Sequence, residues 1–198
     1  FTALVITLVV SIPAGYALAH FEFRGRKALL FTTLIVMLIP NTALVLPIFL
    51  ELSALKLIGT PLAVILPFSF FPFGVYLTYI YFSTAISRDL LDAARIDGAG
   101  EWRIFFQIVL PALKPILVTL AIFSFLGAWN DFMWPLIVLS DESLQTLPVA
   151  LASLSREHVM DYELMMAGSV VTILPVLLLF LVLQRYYIQG LLLGSVKG

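Results

Sequence analysis

Five long apolar runs, at about 2 to 20, 28 to 50, 61 to 82, 113 to 139 and 164 to 189, constrain this chain more than any other feature. About 20 such residues carry a helix across the roughly 30 Å of bilayer hydrocarbon. Backbone N–H and C=O groups find no water there, so only helices or closed barrels can span it. Uninterrupted stretches such as "ALVITLVV" and "VVTILPVLLLFLVL" lack the alternation of a membrane barrel strand. The expected fold is therefore all-α and integral to a membrane, with five spans in one domain over residues 1–198. Composition agrees: 62% of the residues are hydrophobic and 12% charged, with a mean hydropathy of +1.09, far from soluble averages. The chain begins at Phe1 and is apolar by residue 3 with no charged segment ahead of it. It does not open as a signal peptide does, and a missing segment upstream is expected.

The net charge of -1 says little, because a membrane protein is read by where its charges fall. Arg24, Arg26 and Lys27 follow the first run, Arg88, Arg95, Arg103 and Lys114 the third, and Arg185 and Lys197 the fifth. The other side keeps Lys56 and Arg156 among Glu51, Asp141, Glu142, Glu157, Asp161 and Glu163. The positive-inside rule then puts residues 83–112 and the C-terminus in the cytoplasm and residues 140–163 outside. Nucleic acid is not an expected partner. Without cysteine, and with only His20 and His158 far apart, neither a disulfide nor a metal site is expected, and no constellation for catalysis is present. Prolines 13, 40, 47, 67, 72, 135 and 175 fall within the runs, and each removes a backbone donor and tends to kink its helix.

Residues 83–112 are polar and jointed by glycine. Ser87 is placed to cap a short helix, with Asp89 in its first turn and Leu90, Leu91, Ala93 and Ala94 following. Asp97-Gly98 should end it, since glycine accepts the left-handed cap. A second helix is predicted over Ala99 to Val109, with Trp102, Phe105, Phe106 and Val109 on one apolar face and Glu101, Arg103 and Gln107 elsewhere. Pro111 and Pro115 punctuate the way into the fourth span. A plain interfacial connector is one reading of such a loop. Its spacing argues for more: [DE]-A-A-x3-G-x9-I-x-L-P is met at Asp92, Ala93, Ala94, Gly98, Ile108, Leu110 and Pro111. Average residue frequencies produce those seven positions on the order of once in 10⁸ starts.

That loop resembles the "EAA" loop of permease subunits of binding-protein-dependent ABC importers, with Asp92 where the family usually has Glu. The segments "YALAHFEFRGRK", "WNDFMWPLIVL", "TLPVAL" and "QRYYIQGLLLGSVKG" resemble the maltose-type, carbohydrate branch, and the likeness runs over nearly all of the chain. It implies a transmembrane permease domain with one more helix upstream, in the plasma (inner) membrane. It implies as partners a second permease subunit, two cytosolic ATPase subunits and an extracytoplasmic substrate-binding protein. ATP and Mg would then sit on the ATPase subunits, with no cofactor on this chain. The loop would be a coupling helix in a groove of an ATPase subunit: Ala93 and Ala94 allow close approach, Gly98 sets the angle, and Asp92, Arg95 and Asp97 make polar contacts at the rim. Trp102, Phe105, Phe106 and Pro111 would anchor it to the permease's own helix ends.

Asn130 and Asp131 lie inside the fourth span, roughly 24 Å of rise past Lys114 at about 1.5 Å per residue. They are candidates for the wall of a sugar path or for a helix clamp; alternatively Trp129 and Trp134 form an outer aromatic belt with Asp131 reaching interfacial water. Asn41 beside Pro40 is a third path candidate, or a satisfied kink. In the tail, Gln184, Arg185 and Lys197 are candidate contacts to the ATPase pair. "GLLLGSVKG" is not a phosphate loop, which needs four residues between its glycines and a hydroxyl after the lysine. Rival functions are an ion-coupled secondary transporter, which calls for more intramembrane charge and paired repeats, and a non-transporting scaffold.

Overall fold

The computed structural model describes residues 1–154 and 162–195, with side chains to residue 184. Every regular element within them is helical: α1 (Thr2–His20), α2 (Arg26–Leu38), α3 (Asn41–Ala54), α4 (Leu62–Ser69), α5 (Pro72–Ala85), α6 (Arg88–Ile96), α7 (Glu101–Ile104), α8 (Leu110–Ala112), α9 (Lys114–Trp129), α10 (Met133–Val138), α11 (Leu147–Leu154) and α12 (Tyr162–Ser195), with a π turn over Phe105–Val109 and a 3₁₀ turn over Glu142–Leu144.

Helix α1 is the axis of the fold and packs against α4, α5 and α9. Small residues let it approach α5 closely: a Cβ on Gly15 would lie 2.8 Å from the backbone nitrogen of Tyr79 and closer still to the Thr78 hydroxyl. That hydroxyl stands 2.9 Å from the Ser11 carbonyl on α1, and Thr7 Oγ1 donates to the Phe68 carbonyl at 3.0 Å. Close backbones and hydroxyl bonds replace the hydrophobic drive that lipid cannot supply between helices. On the basic side of the bundle Tyr16, Phe82, Ile86, Leu91, Ile104, Phe105, Val109 and Leu113 form one buried cluster. A second cluster joins Leu52, Ala63, Trp134, Val138 and Leu139.

The expected spans are less regular than the apolar runs suggest. Residues 28 to 50 are not one helix; α2 and α3 meet at 107°. Pro40 has no N–H to donate, and its ring holds Ile39 in extended geometry at φ −76°, ψ 123°, as expected for a residue before proline. The third run breaks at Phe70-Phe71 ahead of Pro72, yet Leu62–Ala85 still qualifies as one 24-residue span. The fourth is entered through a 75° bend at Leu113 and divides between α9 and α10 at Asn130, Asp131 and Phe132. The fifth begins at Tyr162 and continues through Pro175. Prolines 13, 47 and 67 likewise sit inside helices. On the expected outer segment, Leu147–Leu154 is a short helix with Val149 buried. Before it, Asp141 accepts from Ser143 N at 2.9 Å and Ser143 Oγ at 2.8 Å, bonds that hold its carboxyl below the usual range.

Candidate coupling loop and translocation cavity

Between α5 and α9 the chain makes a rigid bracket. Ser87 Oγ accepts the Leu90 N–H at 3.3 Å, capping α6 at about 1 kcal/mol for such a bond. The helix closes as a Schellman motif: Gly98 N donates to the Arg95 carbonyl and Ala99 N to the Ala94 carbonyl, both at 3.0 Å, with Gly98 at φ +81°. L-residues rarely adopt that conformation. Across the turn, Arg95 Nε donates to Glu101 Oε1 at 2.7 Å and Nη2 to Oε2 at 3.3 Å, while Nη1 reaches Asp92 Oδ1 at 2.7 Å. Hydrogen bonds first to Glu101 and then to Asp92 raise the Arg95 guanidinium above its ordinary range. Asp92 and Arg95 were expected at the rim of a partner; the structure commits them to each other and to Glu101, which periodicity had set aside. A carboxylate at i+6 is invisible to helical periodicity because the glycine turn brings it back.

The two alanines separate. Ala94 is buried with Leu91 against the chain's own core, so it is not available to a partner. Ala93 is exposed beside Leu90, Ile96 and Asp97, and Ile96, at 87% exposure, is an apolar side chain that the sequence reading missed. Its signal was present: Leu90, Ala93 and Asp97 fall at i, i+3 and i+7, and Ile96 adjoins them on the same helix.

The second helix is entered at Gly100 and does not keep a single α period. Phe105–Val109 forms a π turn, with Leu110 N donating to the Phe105 carbonyl. Pro111 has no N–H for the Gln107 carbonyl and its ring would crowd that group in an α turn; the wider turn relieves this. The predicted face Trp102, Phe105, Phe106, Val109 is split between core and surface. Ile104, Phe105 and Val109 are buried, with Phe105 on Tyr16 at 5.4 Å between ring centroids. Trp102 and Phe106 stack on each other at 6.1 Å and remain 77% and 56% exposed, so they do not anchor the loop to this chain. Pro111 is exposed, and the neighbouring Ala112 carbonyl accepts from Tyr81 Oη of α5 at 2.9 Å. Arg88, at the start of α6, pairs with Glu22 at 3.3 Å. The bracket is thus tied to the ends of α1 and α5.

Farther along the bundle a cavity of about 560 Å³ opens among α2, α3, α4, α5, α9 and α10, lined by Asn41, Phe70, Phe73, Ser124, Asp131 and Trp134 among others. Asn41 and Asp131 both line it although 90 residues separate them in the chain. Asn130 is exposed and is not among the lining residues. Asp131 Oδ1 also accepts the Trp134 N–H at 3.0 Å, capping the start of α10. Trp134 does not form an outer belt: it is buried, with Nε1 donating to the Ala63 carbonyl at 2.9 Å. Trp129 Nε1 donates to the Thr172 carbonyl of α12 at 3.1 Å. Both indoles tie helices together.

In the tail, Gln184 Nε2 donates to the Leu181 carbonyl at 3.2 Å. Arg185 lies on α12 beyond the described side chains, and Lys197 lies outside the described residues.

Residues 11–192 match the family model of the binding-protein-dependent transport system inner membrane component. Over 194 residues the chain is 43% identical to an arabinooligosaccharides transport system permease protein of Halalkalibacterium halodurans, covering 98% of this chain and 69% of that one. It is 34% identical to a lactose transport system permease protein of Rhizobium radiobacter, covering 97% and 70%. Its fold superposes with a TM-score of 0.81 and 26% identity on a chain of a bacterial ABC transporter involved in the import of the acidic polysaccharide alginate, over 94% of this chain and 70% of that one. An all-helical, multi-pass architecture, a loop with the expected spacing and matches across almost the whole length agree: the chain belongs to the family of binding-protein-dependent transport system inner membrane components, the permeases of ABC importers.

Proposed function

We propose that this subunit carries oligosaccharides or related carbohydrates through the plasma (inner) membrane, working with a second, non-identical permease subunit, two cytosolic ATPase subunits and an extracytoplasmic binding protein. The permeases to which it is similar are named for arabinooligosaccharides and lactose, and this supports a glycan rather than an ion. ATP and Mg belong to the ATPase subunits. Residues 83–112 and the C-terminus face the cytoplasm, a reading supported by the basic residues on that side.

One observation carries the mechanism: α6 presents Leu90, Ala93 and Ile96 away from the chain's own core while the Gly98 turn and the Arg95 fork fix its angle. Ala93 admits a close backbone and Ile96 fills an apolar pocket of the ATPase subunit. When ATP closes the ATPase pair, the bracket moves with its groove and drives the ends of α1 and α5, to which it is tied. The spans then open outward toward the docked binding protein, and hydrolysis resets them. Nucleotide shifts this equilibrium only through contacts that differ between the two states, and α6 is where that difference enters. The cavity bearing Asn41 and Asp131 is this subunit's share of the path, its amide, carboxylate and aromatic faces suited to hydroxyl-rich rings.

The test is Ile96→Glu in the assembled importer. It should abolish co-purification of the ATPase subunits and uptake of labelled oligosaccharide, while insertion of the permease persists. Normal association and uptake would remove α6 as the coupling element.

A further inference from the structure

A second cavity, of about 590 Å³, opens where the α1–α2 connection faces α5, lined by Glu22, Phe23, Arg26, Lys27, Leu30 and Tyr79 among others. Its charges are unbalanced. Arg26 Nε donates to the Leu18 carbonyl at 2.7 Å and Nη2 to the Ala19 carbonyl at 3.2 Å, so this side chain closes the end of α1. Glu22 is paired with Arg88 at 3.3 Å. Lys27 lines the cavity and Arg24 adjoins it; both are exposed, and neither is ion-paired among the described residues. The cavity wall thus carries Arg26 and Lys27, with Arg24 next to it in the chain and Arg88 reaching it only through Glu22; Lys27 and Arg24 are the two of these cations left without an ion pair among the described residues.

An anion satisfies the charge but not the rest of the site. Helix α2 rises from the cavity without a single buried residue, and Phe31 and Leu38 along it are 64% and 82% exposed. Its 13 residues rise roughly 20 Å, against about 15 Å for half of the hydrocarbon core. The apolar face thus runs the depth of one leaflet, beginning at the basic cavity. Tyr79 sits at the junction, where a ring with a polar tip is favoured.

We propose that this cavity holds the headgroup of an anionic phospholipid, its phosphate between Lys27 and Arg24 and its acyl chains along α2. Charge complementarity selects an anionic over a zwitterionic lipid, and the apolar face selects a lipid over free phosphate. The inside-positive orientation decides only which leaflet supplies it. None of the residues lining this cavity lines the 560 Å³ cavity; α2 runs from the one toward the other, which it reaches at Val36 and Met37, and Glu22 joins the site to Arg88 of α6.

The experiment is native mass spectrometry of the complete importer, extracted from membranes of phosphatidylethanolamine and phosphatidylglycerol. The wild type should retain phosphatidylglycerol in preference. Lys27→Gln should weaken retention roughly fivefold, and Lys27→Gln with Arg24→Gln roughly 25-fold, at about fivefold per cation near a membrane surface. Lys27→Arg should bind as the wild type does. Lys114→Gln, which removes an exposed cation outside the cavity, should change nothing. Arg26 is left in place because it closes α1. Wild-type retention in both the single and the double variant would overturn the proposal. So would an equal loss in Lys114→Gln, which would mean surface charge alone, or displacement of the lipid by millimolar inorganic phosphate, which would mean a site for a free anion.

Discussion

Replacing Gly98 by alanine separates backbone conformation from contact in the coupling bracket. A Cβ built on Gly98 meets nothing within 4 Å, so no clash enters the result. What remains is φ +81°, a left-handed conformation that adds about 1–2 kcal/mol for an L-residue with a Cβ. Either the turn keeps its shape and carries that strain, or it opens and α6 swings away from α7. If docking on the ATPase subunit requires the closed turn, the strain appears in the association constant as a weakening of about 5- to 30-fold. Asparagine tolerates the left-handed region better than alanine, so Gly98→Asn should fall between alanine and wild type. Gly100 supplies the control: it too has open space around it, but at φ −71° and ψ 159° alanine fits without strain. The assay is titration of purified ATPase subunit against the reconstituted permease pair, with transport measured in the same vesicles. Equal affinities for Gly98→Ala, Gly98→Asn and Gly100→Ala would refute the requirement for this turn.

Three further outcomes follow from the same geometry. Gly15→Ala drives a Cβ into the Thr78 side chain and the backbone of Tyr79; overpacking of this kind costs about 1–3 kcal/mol, and loss of folded complex on size-exclusion is expected, whereas Gly127→Ala, open within 4 Å, should assemble normally. A double-mutant cycle of Arg95→Gln and Glu101→Gln, read by thermal inactivation of the complex, should give a coupling of about 0.5–1 kcal/mol that shrinks in high salt, as exposed pairs do. Asp131→Asn keeps an acceptor for the Trp134 N–H and Asp131→Ala removes it, at about 1 kcal/mol; reduced uptake in both variants with normal assembly marks the carboxylate as part of the path, and a defect in alanine alone marks it as a cap.

Local chemistry made much of the bracket legible in the sequence. A serine hydroxyl reaches an N–H three residues on, and a glycine closes a Schellman turn, whatever surrounds them, so Ser87 and Gly98 were found where they act. The aromatic face was misjudged because only half of its arc meets the core: Phe105 and Val109 are buried, while Trp102 and Phe106, stacked on each other, are left exposed. Trp102 and Val109 then part to opposite environments, one 77% and the other 0% exposed. Glu101 was missed for a different reason: its partner is reached across a turn and not along a helix. That Asn41 and Asp131 line one cavity depends on how six helices pack, which no local pattern encodes.

The broken spans carry a final consequence. Prolines recur through the apolar runs, yet Pro13, Pro47, Pro67 and Pro175 are absorbed within helices, while three interruptions occur at Ile39-Pro40, Phe70-Phe71 and Asn130 to Phe132. Proline alone therefore does not decide where a span breaks, and the third interruption contains none. What the three share is a place: Ile39, Phe70, Phe71 and Asp131 all line the 560 Å³ cavity. Unpaired backbone groups at membrane depth are stable only where protein buries them or where they border a space that water or substrate can enter. Helix α12 lines neither of the two cavities described above, and it runs unbroken through Pro175 from Tyr162 to Ser195. The interruptions thus mark the cavity independently of its side chains, and they give it backbone polar groups that a wall of continuous helices would have spent on itself.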